Sequence, residues 1–472
     1  MPAPTLLWLR RDLRTTDHPA LSAAVARGSP VIPVVIRDDS VTALGAAPAL
    51  RLELGLDAFV EALKGQGSRL ILRSGDPLEV LRGLIAETGA EAVHWTRLYD
   101  PQAIARDKAV KAGLKEDGIE AVSHPGHLLF EPWQVETGKG GYYKVYTPFW
   151  RAVRDRDVGP ALPAPAQIPA PDPWPETEAL TDWQLSAPMR RGRDVVAGHV
   201  TAGERAAQNQ LGVFIRDRVA GYKDGRDIPG AEATSDLSHY LTLGEIGPRQ
   251  CWHAGWRALE DGKPGAETFL KELVWREFAY HLMYHAPQIL TRNWREDWDG
   301  FSWSEEEDER VLAWKQGSTG VDFVDAAMRE LFVTGRMHNR ARMIVASYLT
   351  KHMLVHWRIG QRWFEDCLVD WDPASNAMGW QWVAGSGPDA APYFRVFNPD
   401  TQAEKFDRDQ SYRRRWLAEG QGKPGRDALS FYDAIPESWE LKPDQPRPAP
   451  LVDLKAGRER ALAAYAALKD DS

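Results

Sequence analysis

The chain has 472 residues, 43% of them hydrophobic, and a formal net charge of −9 at pH 7. This length is too great for one hydrophobic core and predicts two domains. No apolar run could span a membrane and no signal peptide precedes the first strand-like run, so we expect a cytoplasmic protein. Two cysteines, Cys251 and Cys367, cannot supply an iron–sulfur site alone, and we predict no metal. The negative charge argues against nucleic-acid binding through overall electrostatics.

The first part of the chain alternates short apolar runs with helical patterns. Apolar or β-branched runs lie at residues 4–9, 30–37, 69–73 and 91–96, and helical patterns at 52–63 and 77–87. This alternation is typical of a parallel sheet with crossover helices, so residues 1–130 are predicted to form a Rossmann-like α/β domain. The absence of a GxGxxG motif and of a Walker loop excludes an ordinary dinucleotide or nucleoside triphosphate site.

A proline-rich segment follows the α/β pattern. Residues 159–175 contain seven prolines, which favour extended backbone and exclude a helix. Residues 131–196 are therefore predicted to connect two domains. From residue 197 onward the apolar residues recur with helical periodicity and strand patterns almost vanish, which predicts an all-α domain over residues 197–472.

The most informative segment of the chain runs from Asp370 to Trp382. It combines the carboxylates Asp370 and Asp372 and the carboxamide Asn376 with indole side chains. Such a mixture makes a poor core helix, because buried carboxylates and amides need partners. Twelve of the 20 tryptophans lie between residues 252 and 382, which indicates an aromatic site around this polar segment.

Two further segments place polar and aromatic side chains on one helix face each. By helical spacing the first face carries Glu272, Trp275 and Arg276, and the second carries Asn339, Arg342 and Met343. Taken singly, the tryptophan and the methionine fit a core better than a site, because both types are common core residues. The glutamate and the asparagine favour a polar cavity, because both would be costly in a dry core.

Five motifs in order resemble those of the photolyase/cryptochrome family, and the match extends over essentially the whole chain. The opening strand and loop, Trp8 to Arg14, also resemble that family. The five motifs are Thr234-Ser235-Asp236-Leu237-Ser238, Trp275-Arg276-Glu277-Phe278, Met337 to Met343, Asp370 to Trp382, and Asp389 to Arg395. The resemblance implies an α/β domain followed by a helical domain that binds FAD.

The resemblance also implies which residues bind FAD, which is active as the reduced anion. Thr234, Ser235 and Ser238 stand near an expected helix start, where hydroxyl and backbone N–H groups suit a diphosphate, although a simple helix cap would explain them too. We expect Asp370 to pair with Arg342, which would spare the carboxylate an unpaired burial. The full implied set is Tyr222, Thr234, Ser235, Asp236, Leu237, Ser238, Phe269, Arg276, Asn339, Arg342, Asp370, Asp372 and Asn376.

By the same resemblance, other residues would bind DNA and carry electrons. Trp275 and Trp382 would stack on a flipped lesion, Met343 would pack against it, and Glu272 and Asn339 would hydrogen-bond to it. The implied DNA-binding residues are Arg226, Glu272, Trp275, Asn339, Arg342 and Trp382, with the basic cluster at residues 408–415 as a further candidate. Trp303, Trp357 and Trp380 would carry an electron from the surface to the flavin.

Several positions favour one branch of the family. Asn376 stands opposite flavin N5 in the family pattern, where photolyases have Asn and plant cryptochromes Asp. Asn339 and Met343 match enzymes acting on cyclobutane dimers, whereas (6-4) enzymes have His at both positions. We therefore expect a monomeric enzyme that repairs cyclobutane pyrimidine dimers in UV-damaged DNA with light. The alternatives are a cryptochrome-type blue-light photoreceptor without repair activity and a light-independent flavin electron carrier.

The motifs leave three points open. A second, antenna chromophore is possible, but Gln102 and Ala103 replace the Asn-Glu pair of folate-binding relatives, so neither folate nor deazaflavin follows. Arg336 stands where Trp is frequent and could contact a phosphate or simply be exposed. Met378 replaces a Gly, with no role implied.

Overall fold

The computed structural model describes residues 2–470. Its first part contains a five-stranded, wholly parallel sheet with the strand order β3-β2-β1-β4-β5. Four strands lie at the predicted positions, and the fold class is confirmed. The fifth was not predicted, because only one of its five residues is buried and it shows no apolar run. The strands are β1 (Thr5–Leu9), β2 (Val31–Arg37), β3 (Ile71–Ser74), β4 (Ala92–Thr96) and β5 (Glu120–His124).

Helices cover both faces of this sheet. Alternate residues of β1 point to opposite faces, so Leu7 and Leu9 enter one core and Leu6 and Trp8 the other. Aspartates cap two of the crossover helices, and a proline occupies the first position of each, a strong local signal for a helix start. The helices are α1 (Pro19–Ala26), α2 (Asp39–Thr42), α3 (Ala46–Lys64), α4 (Pro77–Thr88) and α5 (Pro101–Glu116).

The connecting segment has little regular structure. It contains the helices α6 (Tyr146–Val153) and α7 (Gly192–Ala197) and a few single 3-10 turns. Residues 159–175 contain no helix or strand, as the prolines predict. Helix α6 is strongly amphipathic, and its buried side chains Phe149, Trp150 and Val153 enter a core of the helical part. The connector is therefore packed onto the protein along part of its length.

The remainder is helical. Strand pairing outside the sheet is limited, within residues 2–470, to one bridge between Ser304 and Val355. None of the described helices is long and apolar enough to cross a membrane. The helices are α8 (Glu204–Val213), α9 (Tyr222–Gly225), α10 (Ser238–Leu243), α11 (Pro248–Glu260), α12 (Ala266–His285), α13 (Glu309–Lys315), α14 (Asp322–Thr334), α15 (Asn339–Ser347), α16 (Trp357–Cys367), α17 (Pro373–Ala384), α18 (Pro399–Phe406), α19 (Ser411–Trp416), α20 (Arg426–Ala434) and α21 (Leu454–Asp470).

The α/β and helical parts meet in a tight, partly charged contact. Arg51 of α3 and Glu245 form an ion pair in which both side chains are 0% exposed. Beside it, the Leu13 N–H donates to the Leu243 carbonyl at 3.1 Å. Gly244 has a φ of 64°, and a Cβ there would overlap the backbone of Arg11. Only glycine accommodates both the left-handed backbone and this close approach.

Candidate active site

The segment from Asp370 to Trp382 forms a turn followed by helix α17. Asp372 is the N-cap residue, and its Oδ1 accepts a hydrogen bond from the Ser375 N–H at 2.8 Å. Pro373 occupies the first helical position. A capping carboxylate followed by proline defines where this helix begins. The carboxylate of Asp372 is thereby held at the start of α17, in a buried position.

The second oxygen of Asp372 belongs to a polar network that the sequence did not reveal. The Tyr280 hydroxyl donates to Asp372 Oδ2, and Arg11 Nη1 lies 4.0 Å from the same oxygen. The Tyr280 oxygen also lies 2.8 Å from His127 Nε2, which Arg276 Nη2 approaches to 3.1 Å. Burial, followed by the charge of Asp372, raises the pKa of Tyr280, so its hydroxyl keeps the proton that it donates.

Asp370 forms the ion pair that its burial requires. Arg342 Nη2 lies 3.0 Å from Oδ1 and 2.8 Å from Oδ2 of Asp370, while Arg342 Nε donates to the Met337 carbonyl at 2.8 Å. The predicted Arg342–Asp370 pair is therefore confirmed. Because both partners are fixed, α15 is tied to the start of α17 by a charge-assisted contact.

Asn376 lies one turn into α17 and is half-buried. Its Nδ2 donates to the Gln361 carbonyl of α16 at 3.1 Å. This bond fixes the orientation of the amide, because the nitrogen must face the carbonyl. The Oδ1 atom accepts no hydrogen bond from residues 2–470, so an acceptor remains available beside Asp372 and its network.

Besides Phe269, helix α12 carries three of the expected site residues, and these three separate into two environments. Glu272 forms an ion pair with Arg226, with the side chains 32% and 21% exposed. Trp275 is half-buried and stacks on Tyr146. Arg276 instead pairs with the neighbouring Glu277 at 3.2 Å and points towards His127. Arg276 thus joins the network behind Asp372 and does not contact Glu272, although helical spacing placed them on one face.

Helices α15 and α17 supply the remaining lesion-binding candidates. Asn339 is exposed at the start of α15, and its Nδ2 lies 4.0 Å from the Met343 sulfur. Trp382 is half-buried near the end of α17. Helix α17 packs against both α12 and α15. The structure therefore brings Trp275, Met343 and Trp382 onto three neighbouring helices, as the sequence implied.

The expected FAD-binding residues from Tyr222 to Phe269 divide into buried and accessible groups. Tyr222, Leu237 and Phe269 are at most 6% exposed and lie in a hydrophobic core. Thr234 and Ser235 are half-buried, and Ser238 is exposed at the first position of α10. None of these three hydroxyl groups is hydrogen-bonded within the described chain. The accessible hydroxyls can therefore bind a ligand, whereas Phe269 contributes mainly to packing.

Arg336, whose role the sequence left open, lies beside this loop. Its Nη1 is 3.5 Å from Asp236 Oδ1, and its Nη2 donates to the His199 carbonyl at 2.9 Å. Asp236 has a φ of 57°, a left-handed conformation that Asp tolerates better than most residues. The basic cluster at 408–415 is partly neutralised, because Arg413 pairs with Asp407 and Arg415 with Asp427. Met378 is half-buried against a hydrophobic core.

The three tryptophans of the expected electron path are all buried. Trp303, Trp357 and Trp380 are 8%, 0% and 2% exposed, so even the outermost presents only an edge to solvent. Trp303 and Trp357 both contact the His356 ring, at centroid separations of 5.3 and 5.4 Å. The Trp380 ring lies against Gly360 of α16, one turn from Trp357.

Comparison with known proteins decides the family. Residues 5–170 match the family model described as DNA photolyase, and residues 269–467 match the model for the FAD binding domain of DNA photolyase. A deoxyribodipyrimidine photo-lyase of Agrobacterium fabrum is 46% identical, over 99% of this chain and 98% of its own. The chain belongs to the photolyase/cryptochrome family.

Solved structures of photolyases agree with this assignment. The crystal structure of a class III photolyase from Agrobacterium tumefaciens has a TM-score of 0.91 and 46% identity, covering 100% of this chain and 98% of that one. An archaeal photolyase from Sulfolobus tokodaii, described with two FAD molecules, has a TM-score of 0.79 and 27% identity. The match to the archaeal structure covers 98% of this chain and 100% of that one, so the photolyase architecture extends over nearly the whole protein.

The family motifs explain most of the site but not all of it. Arg11 lies inside the opening motif from Trp8 to Arg14, yet nothing in the motif shows that it reaches Asp372. Tyr280 is four residues after Arg276 and therefore on the same helix face, so helical spacing could have identified it as a site residue. Tyr146 carries no such signal, because its contact with Trp275 spans more than a hundred residues of sequence.

Proposed function

We propose that this protein repairs cyclobutane pyrimidine dimers in DNA, using light and reduced FAD. The observation that carries the proposal is that α17, which bears Trp382, packs against α12, which bears Trp275, and against α15, which bears Met343 and holds Asp370 through Arg342. The chain also matches a deoxyribodipyrimidine photo-lyase over nearly its full length. We further propose that the domain division predicted from sequence, near residues 130 and 196, separates an α/β unit from the catalytic one.

The residues present fit FAD. The Asn376 carbonyl oxygen can accept a hydrogen bond from a ring N–H of reduced flavin, which an amide does without adding charge. Asp370 and Asp372 can accept from ring or ribityl donors, and the hydroxyls of Thr234 and Ser235 can donate to phosphates. The implied contacts of Asp236, Leu237, Ser238, Phe269, Arg276, Asn339 and Tyr222 complete the proposed set. When bound and excited by light, reduced FAD supplies the electron that splits the dimer.

The proposed lesion pocket uses stacking, packing and hydrogen bonding. Photolyases flip their target out of the duplex, and a dimer is cheaper to extrude than normal bases because it pairs and stacks poorly. Trp275 and Trp382 would stack on the flipped dimer, and Met343 would pack against it. The exposed Asn339 amide would hydrogen-bond to its polar edge. Selectivity would then follow from shape and extrusion cost, without reading of base sequence.

The ion pair between Arg226 and Glu272 would have to open before Glu272 can bind the dimer, and DNA itself would open it. In the free protein Arg226 engages the carboxylate that would bind the dimer. A backbone phosphate can compete for Arg226, because a phosphate is also a strong partner for a guanidinium. Glu272 would then be free to hydrogen-bond to the dimer, and as a protonated carboxyl it could donate to an oxygen on which negative charge develops. Phosphate contacts by Arg226, Arg342 and the 408–415 cluster would make affinity fall with salt.

The deciding experiment illuminates the flavin-reduced protein with blue light in the presence of a dimer-containing oligonucleotide. We expect loss of the dimer and recovery of two pyrimidines under light, with no net change in flavin oxidation state. A matched sample in darkness and a (6-4) photoproduct substrate serve as controls. Equal repair in darkness, or repair of the (6-4) lesion alone, would overturn the proposal. A fully reduced protein that repairs neither lesion would favour the blue-light photoreceptor.

The tryptophan path can be tested apart from repair. We propose that electrons reach the flavin from Trp303 through Trp357 and Trp380. Trp380→Phe is expected to reduce photoreduction of oxidised FAD at least tenfold, because phenylalanine is much harder to oxidise than an indole. Repair by chemically reduced protein should be retained. Trp252→Phe, at an equally buried tryptophan of α11, is the matched control and should photoreduce normally. Normal photoreduction by Trp380→Phe would show that the path is wrong.

A second chromophore remains possible, and its identity is open. A cleft of about 320 Å³ between α5 and the end of α12 is lined by Tyr99, Ile104, Lys108 and Tyr284, among others. Aromatic walls with one cation suit an anionic ring system such as folate or a flavin. Extraction of the purified protein followed by fluorescence spectroscopy would identify any chromophore besides FAD.

We further propose that the protein acts as a monomer in the cytoplasm. All the site elements described above come from one chain, so no partner subunit is needed to complete them. Light scattering on the purified protein should give the mass of one chain, with and without DNA. Fractionation of the native cells would test the compartment.

A further inference from the structure

Tyr146 and Trp275 form the tightest ring stack in the described chain. Their centroids are 3.7 Å apart and their planes differ by 5°. Tyr146 opens α6, in the segment that sequence alone marked as a connector. Trp275 is on α12, the helix that also carries Glu272. A connector residue therefore covers one face of a tryptophan expected to stack on DNA.

The tyrosine is fixed on several sides. Its hydroxyl donates to the Lys271 carbonyl at 2.7 Å, which ties the ring to the preceding turn of α12. The backbone N–H of Tyr146 donates to Asp389 Oδ2 at 3.0 Å. Phe278 meets the rings of both Tyr146 and Trp275 nearly edge-on, at 5.9 and 5.8 Å. The stacked pair thus has little freedom to tilt or slide.

The loop that contains Asp389 also contacts Trp382, the second tryptophan expected to stack on the dimer. The Ala391 N–H donates to the Trp382 carbonyl at 3.2 Å, two residues after Asp389. The segment Asp389–Ala391 therefore joins the backbone of α6 to the end of α17. Through it, the backbone of Tyr146, whose ring stacks on Trp275, is joined to the backbone of Trp382.

We propose that Tyr146 is a positioning residue for lesion recognition, a role that rests on the proposed function of Trp275. An indole has two faces on which a base can stack, and Tyr146 occupies one of them. The dimer must therefore use the opposite face or the free edge of Trp275. Without this support the indole has to be ordered when the dimer binds, and immobilising one such side chain costs about 0.5–1.5 kcal/mol, which weakens dimer binding roughly 3- to 10-fold.

The test compares three variants of the full, FAD-loaded protein. Tyr146→Leu removes the ring, Tyr146→Phe keeps the ring but loses the bond to Lys271, and Tyr142→Leu is the matched control. Tyr142 lies in the same segment and forms a parallel stack with His285, away from Trp275. The measurements are dissociation constants for a duplex with one thymine dimer and for the same duplex undamaged, and the repair yield at saturating DNA.

We expect Tyr146→Leu to bind the dimer duplex 3- to 10-fold more weakly and the undamaged duplex as wild type. Its FAD content, thermal release of FAD and repair yield at saturation should be unchanged, and Tyr146→Phe and Tyr142→Leu should bind normally. Equal weakening for both duplexes, wild-type dimer binding by Tyr146→Leu, or a Tyr146→Phe defect as large as that of Tyr146→Leu would overturn the inference. Failure of the wild-type protein to prefer the dimer duplex would instead refute the proposed function.

Discussion

A single lysine shows how strongly burial alone can change a side chain in this protein. Lys351 is 0% exposed, its Nζ donates to the Arg395 carbonyl at 3.1 Å, and it lies 4.9 Å from the centre of the Tyr393 ring. No carboxylate pairs with it among residues 2–470. Desolvation, aided by the nearby charge of Arg395, lowers the pKa of Lys351 to about 7.

Lys351→Met should therefore stabilise the protein in a pH-dependent way. Below about pH 7 the lysine is charged in both the folded and unfolded states, and the folded state bears the full cost of burying that charge. Between pH 7 and the ordinary lysine pKa the folded state loses its proton, so the cost declines as pH rises. The variant should gain about 1–3 kcal/mol near pH 6 and much less near pH 9.5.

Denaturant unfolding at both pH values measures this difference. Lys139→Met, at an exposed loop lysine, is the control and should change stability by less than about 0.5 kcal/mol at either pH. A gain from Lys351→Met that is the same at both pH values would show that its benefit comes from packing rather than from charge.

At the residue scale, the sequence predicted which side chains belong to the site better than it predicted all the residues that they contact. Asp370 was expected to need a cation, and Arg342 supplies it. The roles of the other site residues stay predictions. Tyr280 and Arg11 were not identified at Asp372, because the tyrosine is 92 residues away along the chain and the arginine belongs to the other fold unit. Helical spacing could have placed Tyr280 on the same helix face as Arg276, but it carries no information about the contacts that Tyr280 and Arg11 make with Asp372.

Two helices of the site pack closely at one glycine. A Cβ on Gly360 of α16 would overlap the six-membered ring of Trp380 on α17. Gly360 also lies one turn from Trp357, so this contact sets the spacing of two residues on the proposed electron path. An aromatic side chain packed directly on a helix backbone leaves no room for adjustment.

Gly360→Ala should therefore displace the Trp380 ring. We expect a loss of about 1–3 kcal/mol in unfolding free energy and slower photoreduction of FAD, because overpacking forces the ring or the helices apart. Gly379→Ala is the matched control on α17 itself, since nothing lies within 4 Å of its added methyl group. That control should be neutral or slightly stabilising. A stability loss from Gly360→Ala without any change in photoreduction would separate the packing role from the electron path.

At the element scale, strong local signals were reliable and weak ones were not. Four strands and the helices α3 and α4 were found from apolar runs and helical periodicity. Strand β5 was missed because it lies at the sheet edge, with mostly polar and partly exposed residues. Helix α6 was missed inside the connector, since its eight residues are too few to dominate a proline-rich region.

At the scale of the whole molecule, the contact between the two parts depends on buried charge. Arg51 Nη1 lies 3.1 Å from Glu245 Oε1, and its Nε donates to His239 Nδ1 at 3.2 Å. The Gly203 N–H donates to the same Glu245 oxygen at 2.9 Å. Every polar atom of this carboxylate thus has a partner, which offsets the cost of removing it from water.

Arg51→Met should be among the most damaging substitutions outside the active site. It would leave Glu245 charged and without its cation, at an expected cost of about 3–5 kcal/mol in unfolding free energy. The double variant Arg51→Met with Glu245→Leu should recover much of this loss, because no buried charge remains. Arg82→Met, which breaks exposed pairs with Glu79 and Asp117, should cost much less than Arg51→Met. A double variant as unstable as the single one would show that packing dominates.

Sequence predicted the order of the parts but could not predict how they join. Composition and periodicity separate an α/β region from a helical one, and the prolines mark the segment between them. The exact boundaries stay a prediction, since α6 lies in the connector by sequence but packs in the helical core. An interface formed by Arg51, Glu245 and His239 leaves no local pattern, because its members are nearly 200 residues apart.

The loop after β1 sets a limit on how such proteins can be recombined. Arg11 extends from it towards Asp372, and Arg14 donates to the carbonyls of Gly244 and Gly126 at 2.9 Å each. A chimera that exchanges the α/β unit at the connector would therefore also replace the arginine that lies against Asp372. The loop and Arg51 of the α/β half cannot vary independently of the helical half, so a working hybrid would have to inherit residues 10–17 and Arg51 together with the helical half.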